Sequence, residues 1–446
     1  MEARTAQTLV DYAKSLDCIH CGLCVSSCPT YQLTGVESSS PRGRVHMMRA
    51  VAEGRLEPDA GFAEEMGFCL LCRHCESVCP AGVRFGAMME LTRDALPRHV
   101  PLGRRTRLLR WLGFRVALPR RGVLQLAAGL LRLGQKSGAL RLLAPLLRRL
   151  GIPAADLPSP PPAGERRPLP ERSAPVGEAR GAAAVLEGCV MPVLFGRVNR
   201  ATVDVLTGFG VEVHCPRAQG CCGSLHAHNG DLEEARRLAR ASIEAFEAAV
   251  DRDGQPLPVV VNSAGCASHL KELHHLFGES DPWHPRAQAL AARVRDFAEF
   301  VAPLLTDEPP RLVWPQGLPG PVTWDDPCHL CHGQQIRAQP RALLDSVDGL
   351  ERVELADSES CCGSAGIYSL LRPADSAAVL EPRLDALEAS GARLLVTANP
   401  GCQMQWEAGL RRRGSDVWVL HLAELLAAAR RAGLPRRSGR GLGRTH

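Results

Sequence analysis

Eighteen of the 446 residues are cysteine, and their spacing carries the first chemical signal. Eight fall before residue 80 in two matched runs, Cys18-x2-Cys21-x2-Cys24-x3-Cys28-Pro29 and Cys69-x2-Cys72-x2-Cys75-x3-Cys79-Pro80. Three thiolates at this spacing wrap three corners of an iron–sulfur cubane, while the fourth, next to proline, ligates the other cluster of a pair. One [4Fe-4S] cluster is therefore expected on Cys18, Cys21, Cys24 and Cys79, and a second on Cys69, Cys72, Cys75 and Cys28. Zinc or free thiols are the bland alternative, disfavoured because the whole pattern occurs twice.

The other ten cysteines follow residue 188, and eight of them form a repeat. Cys189, Cys221-Cys222-Gly223-Ser224 and Asn262-Ser263-Ala264-Gly265-Cys266 are echoed by Cys328, Cys361-Cys362-Gly363-Ser364 and Asn399-Pro400-Gly401-Cys402. The first gap holds 31 residues in one copy and 32 in the other, the second 43 and 39. Such self-similarity means two homologous domains. Each quartet, Cys189, Cys221, Cys222 and Cys266 or Cys328, Cys361, Cys362 and Cys402, is an additional candidate metal site, against the alternative of buried, inert thiols.

Cys328-His329-Leu330-Cys331-His332 formally matches the haem-attachment pattern Cys-x-x-Cys-His. Covalent haem c needs an exported chain, and no secretory signal is read at the N-terminus, so Cys331 is expected to be an extra ligand or a spectator. Lone Cys215 defaults to core. His214, His226, His228, His269, His329 and His332 sit beside cysteine motifs, where ligand and proton-donor roles compete with the commoner hydrogen-bonded loop histidine. No Gly-x-Gly-x-x-Gly after a strand, phosphate-cradling loop or Gly-x-Ser-x-Gly element is present, so no catalytic side chain and no cofactor beyond the clusters is assigned. Flavin or nicotinamide is expected on a partner.

These motifs need elements to hold them. The 40 residues between Cys28 and Cys69 leave room for helices such as 41–53, which predicts a helical domain over 1–97. Residues 98–180 follow as a basic helical segment and a Pro-rich linker. Between Asp94 and Asp156 there are 13 Arg and Lys and no acidic residue. That segment suits either an anionic membrane surface or packing against the first domain or a partner. Strand-like runs at 182–186, 259–261 and 394–396 precede motif loops, with helical patterns at 231–249 and 375–390. This alternation predicts duplicated α/β cysteine-rich domains at 181–310 and 311–428, their cysteines on loops after strand ends. A basic disordered tail is expected over 429–446. The fold class is thus α+β multidomain.

Composition agrees with a globular protein, 45% hydrophobic and 23% charged. A net charge of +5 is too small at this length to call for nucleic acid, and none is expected as a partner. No apolar run reaches about 18 residues, so no spanning helix is expected. A cytoplasmic location follows, with peripheral attachment to the inner face of the membrane left open, and in a reducing compartment cysteines read as metal ligands rather than disulfides.

Several stretches carry a resemblance: Cys18-Ile-His-Cys21-Gly-Leu-Cys24, Ser40-Pro41-Arg42-Gly43-Arg44, Asp326-Pro327-Cys328-His329-Leu330, His332-Gly333-Gln334, Cys361-Cys362-Gly363-Ser364-Ala365-Gly366-Ile367-Tyr368 and Asn399-Pro400-Gly401-Cys402. Over roughly residues 5 to 428 the chain resembles the iron–sulfur subunit of glycolate oxidase (glycolate dehydrogenase). The wider class includes lactate-utilisation and glycerol-3-phosphate dehydrogenase iron–sulfur subunits and heterodisulfide reductase cysteine-rich domains. The resemblance implies an oxidoreductase subunit inactive alone, carrying electrons from a flavoprotein partner that oxidises glycolate toward a quinone or other respiratory acceptor. The alternatives are lactate or glycerol-3-phosphate as substrate, or a thiol-disulfide oxidoreductase. The heterodisulfide reductase pattern ends in Cys-x-x-Cys, whereas here the repeats end in Cys266-Ala-Ser-His269 and Cys402-Gln-Met-Gln405.

Overall fold

A computed structural model describes residues 9–140, 142–143, 145, 157–306 and 309–434. The N-terminal domain is helical. Its longest helices are Pro41–Ala52, started by Pro41 and by the Ser40 hydroxyl accepting from the Gly43 amide, and Phe85–Ala95. Proline at the first helical position and a serine cap are the ordinary start signals. Val45, Met48, Phe62, Met66, Met88 and Met89 close a small core between the two four-cysteine loops.

Each α/β domain is built on a parallel sheet. The first has five strands, β1 (Arg172–Ser173), β2 (Gly181–Val185), β3 (Val211–His214), β4 (Val259–Val261) and β5 (Val294–Asp296), in the order β1-β3-β2-β4-β5. All neighbours are parallel except β1 with β3. The second has β6 (Val322–Trp324), β7 (Leu394–Thr397) and β8 (Trp418–His421), all parallel. The counterpart of β3 is reduced in the second copy to a single bridge, Val322 to Arg352. Strands covered on both faces read as continuous apolar runs, which is why Val259–Val261 and Leu394–Thr397 are buried throughout. The helix expected at 231–249 is Leu232–Glu247, capped by Asp231, with Leu232, Ala235, Leu238, Ala239, Ile243 and Phe246 on its buried face.

Two boundaries differ from the sequence expectation, and the basic segment between them finds its packing partner. Within the linker, Leu169 is buried in the first α/β domain's core and Arg172–Ser173 pairs with β3, so the domain begins earlier than residue 181. The basic segment forms helices at Arg104–Arg110 and Arg121–Lys136 joined by a π-helical turn, Trp111–Ala117, and packs on the first α/β domain. Arg115 pairs with Asp231, Glu233 and Glu234, and Arg121 with Glu187. Leu108, Leu109, Trp111, Leu126, Leu130 and Leu133 stay exposed on its other side. Last, helix Leu422–Gly433 runs past residue 428, burying Ala429 and Arg430, so the tail cannot start at 429; residues 435–446 lie outside the described set.

The two α/β domains share one core. Val185, Phe209, Phe297, Trp324, Leu394 and Leu426 belong to a single buried cluster. Helix Leu422–Gly433 lies against helix Gly196–Gly208, and Arg430 and Arg431 both bond Asp204. Among the described residues no helix is long and apolar enough to cross a membrane.

Asp296, at the end of β5, caps helix Phe297–Val301 by accepting from the Ala298 amide, and its second oxygen has no partner. Burial pushes its carboxyl up to about 7, against the pull of that amide bond and the Lys271 charge. A carboxyl raised on folding adds stability below its unfolded value near 4 and loses it as pH climbs through 7. Asp296→Asn keeps the amide acceptor and removes the titration. Unfolding free energies from urea titrations should therefore fall from pH 5 to pH 8 more for the native protein than for the variant, by up to a few kcal/mol at about 1.4 kcal/mol per pH unit.

Candidate metal centres

The two four-cysteine loops share a backbone form. His20 and Leu71, each two residues after the first cysteine, have φ of 56°, and Gly22 and Arg73, each just after the second, have φ of 86° and 64°. Non-glycine residues in this left-handed region are uncommon, and their recurrence at matched positions marks a loop that curls around a centre. Cys18, Cys21, Cys24 and Cys79 line one small cavity, where Cys75 joins them. Cys28, Cys69, Cys72 and Cys75 line the adjoining one. The proline-linked cysteine of each run thus stands with the other run's triplet.

Arg44 is fully buried behind Cys28. Its guanidinium donates to Ser39 O at 2.7 Å, Thr30 Oγ1 at 3.1 Å and Glu65 O at 2.8 Å, and reaches Cys28 Sγ at 4.0 Å. Burial pushes the Cys28 thiol up, opposed by the Arg44 charge and the Thr30 hydroxyl.

All eight repeat cysteines line a single cavity of about 500 Å³ between the α/β domains. In the first quartet the Cys221 thiol interacts with those of Cys189 and Cys222, and Cys222 with that of Cys266. In the second, Cys361 packs with Cys328 and with Cys72 of the helical domain, and the Cys362 and Cys402 sulfurs are 3.1 Å apart. One thiol in each quartet is held well below the usual range: Cys221 by Cys189 and then Cys222, Cys362 by Cys361 and then Cys402. Four sulfur donors facing one space are the soft ligands that iron–sulfur chemistry uses, so the donor sets fit it. None of the 18 cysteines is bridged.

The Cys-Cys-Gly turn explains its own glycine. Gly223 and Gly363 have φ of 92° and 84°, and a Cβ on Gly363 would meet Ser376 O at 2.5 Å. Only glycine combines that conformation with that approach. The two copies also meet directly: Asn399 Oδ1 accepts from the Gly265 amide at 3.3 Å, and the Ala264 amide donates to Ala398 O at 3.1 Å.

Two cysteines stand apart. Cys215 lies in the shared core. Cys331 turns away from the cavity toward Asp326 O, and both nitrogens of His332 are taken, Nδ1 by Ser77 Oγ at 2.8 Å and Nε2 by Glu359 O at 2.9 Å. That engagement opposes a haem reading of Cys328-x-x-Cys331-His332. At the two positions where the heterodisulfide reductase pattern has its last cysteine, His269 is buried without a partner on Nε2 and Gln405 bonds Ser376.

The second four-cysteine loop docks on both repeats. Arg73 bonds Glu272 and Ser268 of the first, while Ser77 bonds His332 and His74 stacks on His332 at 4.0 Å in the second. A group that motif reading passed over sits at this junction: Glu90, buried, bonds His228 and His275. Nothing in a single helical glutamate signals this, because its partners lie 138 and 185 residues away.

A helical domain with two four-cysteine loops, docked on a duplicated α/β domain whose thiols face one cavity, defines a multidomain iron–sulfur protein of the oxidoreductase type. Residues 14–83 match the 4Fe-4S dicluster domain, and 183–271 and 322–407 each match the cysteine-rich domain. The chain is 36% identical over 438 residues to the probable glycolate oxidase iron-sulfur subunit of Bacillus subtilis (strain 168), spanning 94% of this chain and 95% of that one, and 31% identical over 389 residues to the glycolate oxidase iron-sulfur subunit of Escherichia coli (strain K12), spanning 86% and 88%. It belongs to the glycolate oxidase iron–sulfur subunit family. Lactate utilization protein A of Exiguobacterium sp. is 34% identical over 245 residues, 54% of this chain and 96% of that protein.

Proposed function

We propose that this subunit conducts electrons from a flavoprotein that oxidises glycolate, or a related 2-hydroxy acid, to a quinone, working at the cytoplasmic side of a membrane. The observation that carries this reading is the packing of Cys72 against the small cluster that holds Cys361, with Cys328 beside it, which brings the inner four-cysteine set up to the cavity. Cys18, Cys21, Cys24 and Cys79 hold the outward cluster, Cys69, Cys72, Cys75 and Cys28 the inner one, and the cavity quartets are the sites for further clusters. When bound, such clusters take up and release single electrons, which suits discharge of a two-electron flavin. The entry end is the loop at 18–24, where Ile19 and Leu23 are 69% and 59% exposed and offer an apolar face to the flavoprotein. Lactate is the second reading for the substrate, favoured by the match to lactate utilization protein A.

Anaerobically prepared protein should hold at least about eight irons, and near twelve or sixteen if one or both cavity quartets are filled. Cys79→Ala should remove the paramagnetic signal of the cluster on Cys18, Cys21 and Cys24. Damage confined to the Cys69, Cys72, Cys75 cluster would overturn the crossed ligand sets, and fewer than eight irons after full reconstitution would overturn the two-cluster assignment.

A further inference from the structure

The cavity between the quartets has a second, polar neighbour. A small cavity of about 20 Å³, rimmed by Arg73, Glu76, Arg84 and Glu272, lies on the side of the helical domain, and His228 lines both spaces. From this outer cavity an unbroken hydrogen-bonded line runs inward. His275 Nε2 is 2.9 Å from Glu90 Oε2, Glu90 Oε1 is 2.6 Å from His228 Nδ1, and His228 Nε2 is 3.1 Å from the Ser224 hydroxyl, which also lines the large cavity. The three groups come from three places in the fold: helix Phe85–Ala95, helix Ser224–His228 and the turn Leu273–Leu276.

We infer that His275, Glu90 and His228 form a proton relay that serves reduction of the acceptor in the cavity between the two cysteine quartets. Nothing in electron conduction alone requires a buried carboxylate between two imidazoles. Burying a charge is costly unless it is paired. Here the cost is offset by two histidines on one carboxylate: burial pushes Glu90 up, but the bonds and charges of His228 and His275 outweigh it and hold the carboxyl well below its usual range. The same carboxylate raises His275, against burial. A pair so arranged holds a proton at the outer end, ready to pass inward.

The acceptor class follows from the balance. A quinone carbonyl pair becomes two hydroxyls by gaining two electrons and two protons, and the electrons come from the reduced protein. His275 Nδ1 is held by the Glu272 carbonyl, so His275 gives its Nε2 proton to Glu90, Glu90 passes one on to His228, and His275 is reprotonated from the outer cavity when its ring turns away from that carbonyl. The cavity suits such a guest. Leu70, Leu96, Val100, Leu102, Leu225 and Leu371 line it, Leu102 and Leu371 being exposed at its rim, and the buried Tyr368 hydroxyl in its wall has no partner. Leu102 lies on the run that leads into the basic helices with their exposed leucines, which would set the opening toward a lipid surface.

This inference rests on the quinone reading above but not on the flavoprotein, so its test bypasses that partner. The iron-loaded chain is reduced with dithionite, freed of excess reductant and mixed with either a short-chain water-soluble quinone, which needs protons, or ferricyanide, which does not. For Glu90→Gln the ratio of quinone to ferricyanide rates should fall about a hundredfold, the usual worth of a positioned proton donor. Proton uptake, followed with a pH-indicator dye in weakly buffered solution, should slow in step, and added imidazole should restore part of both. His275→Gln should act in the same direction and decides the matter if Glu90→Gln fails to load iron. An unchanged ratio, or equal losses with both oxidants, would overturn the relay. Failure of glycolate to reduce the native complex would instead strike the wire reading and leave this ratio standing.

Discussion

Replacing Cys72 with alanine is expected to stop electron delivery to a quinone analogue while the partner's flavin is still bleached by glycolate. Oxidation of a 2-hydroxy acid removes two electrons and two protons at one carbon, which requires a hydride or carbanion acceptor such as flavin, the group proposed for the partner. Cys72 stands where the second four-cysteine loop packs against the cluster holding Cys361, so its loss removes both a proposed ligand and that packing at the cavity. Quinone reduction should drop to the level seen without this subunit. Anaerobic bleaching of the flavin by glycolate, recorded in the complex with the variant, is the decisive measurement. Bleaching that needed intact clusters, or turnover by this chain alone, would overturn the wire.

Arg44→Met is the second change with a large expected effect. The guanidinium is buried, donates to three oxygens and pairs with Glu65 at 3.6 Å, so the variant leaves Thr30, Ser39 and Glu65 short of a partner. Loss of one member of a buried polar set costs roughly 3 kcal/mol. The charge also stands 4.0 Å from Cys28 Sγ, a ligand of the inner cluster in the crossed arrangement. Two unit charges 4 Å apart interact by about 4 kcal/mol at an effective dielectric constant of 20. Removing the positive one, and leaving Glu65 uncompensated, makes an added electron less welcome. The reduction potential of the inner cluster should fall on the order of 100 mV, about 59 mV being a tenfold change for one electron. Redox titration followed by paramagnetic resonance reads this directly; an unchanged potential with intact iron content would show that Arg44 acts on folding alone.

What could be read in advance divides by distance along the chain. Both cysteine runs, the duplicated Cys-Cys-Gly turn and the helices and strands beside them are local signals, and helix 231–249 or strand 259–261 appears within two residues of its expected place. The basic segment's partner was out of reach, because Arg115 chooses Asp231, Glu233 and Glu234 across more than a hundred residues, and the charge pattern alone suits a lipid headgroup as well. The loss of a full third strand beside β6 is likewise silent, since the sequence there keeps the same motif spacing. Glu90 illustrates the limit best. Its helix pattern places it on a buried face, and only the fold shows that two histidines from another domain wait there.

The shared core has a consequence for how the protein is made. Val205, Leu206 and Phe209 of the first repeat are covered by Leu422, Leu425 and Leu426 of the last helix, and Arg430 and Arg431 tie that helix to Asp204. Domains commonly fold in order as they leave the ribosome. Here the core of the first repeat is complete only with helix Leu422–Gly433 in place, and so is the cavity wall that carries Cys189, Cys221, Cys222 and Cys266. A chain truncated before residue 422 should therefore lose stability in both repeats at once, seen as one lowered urea midpoint for the two.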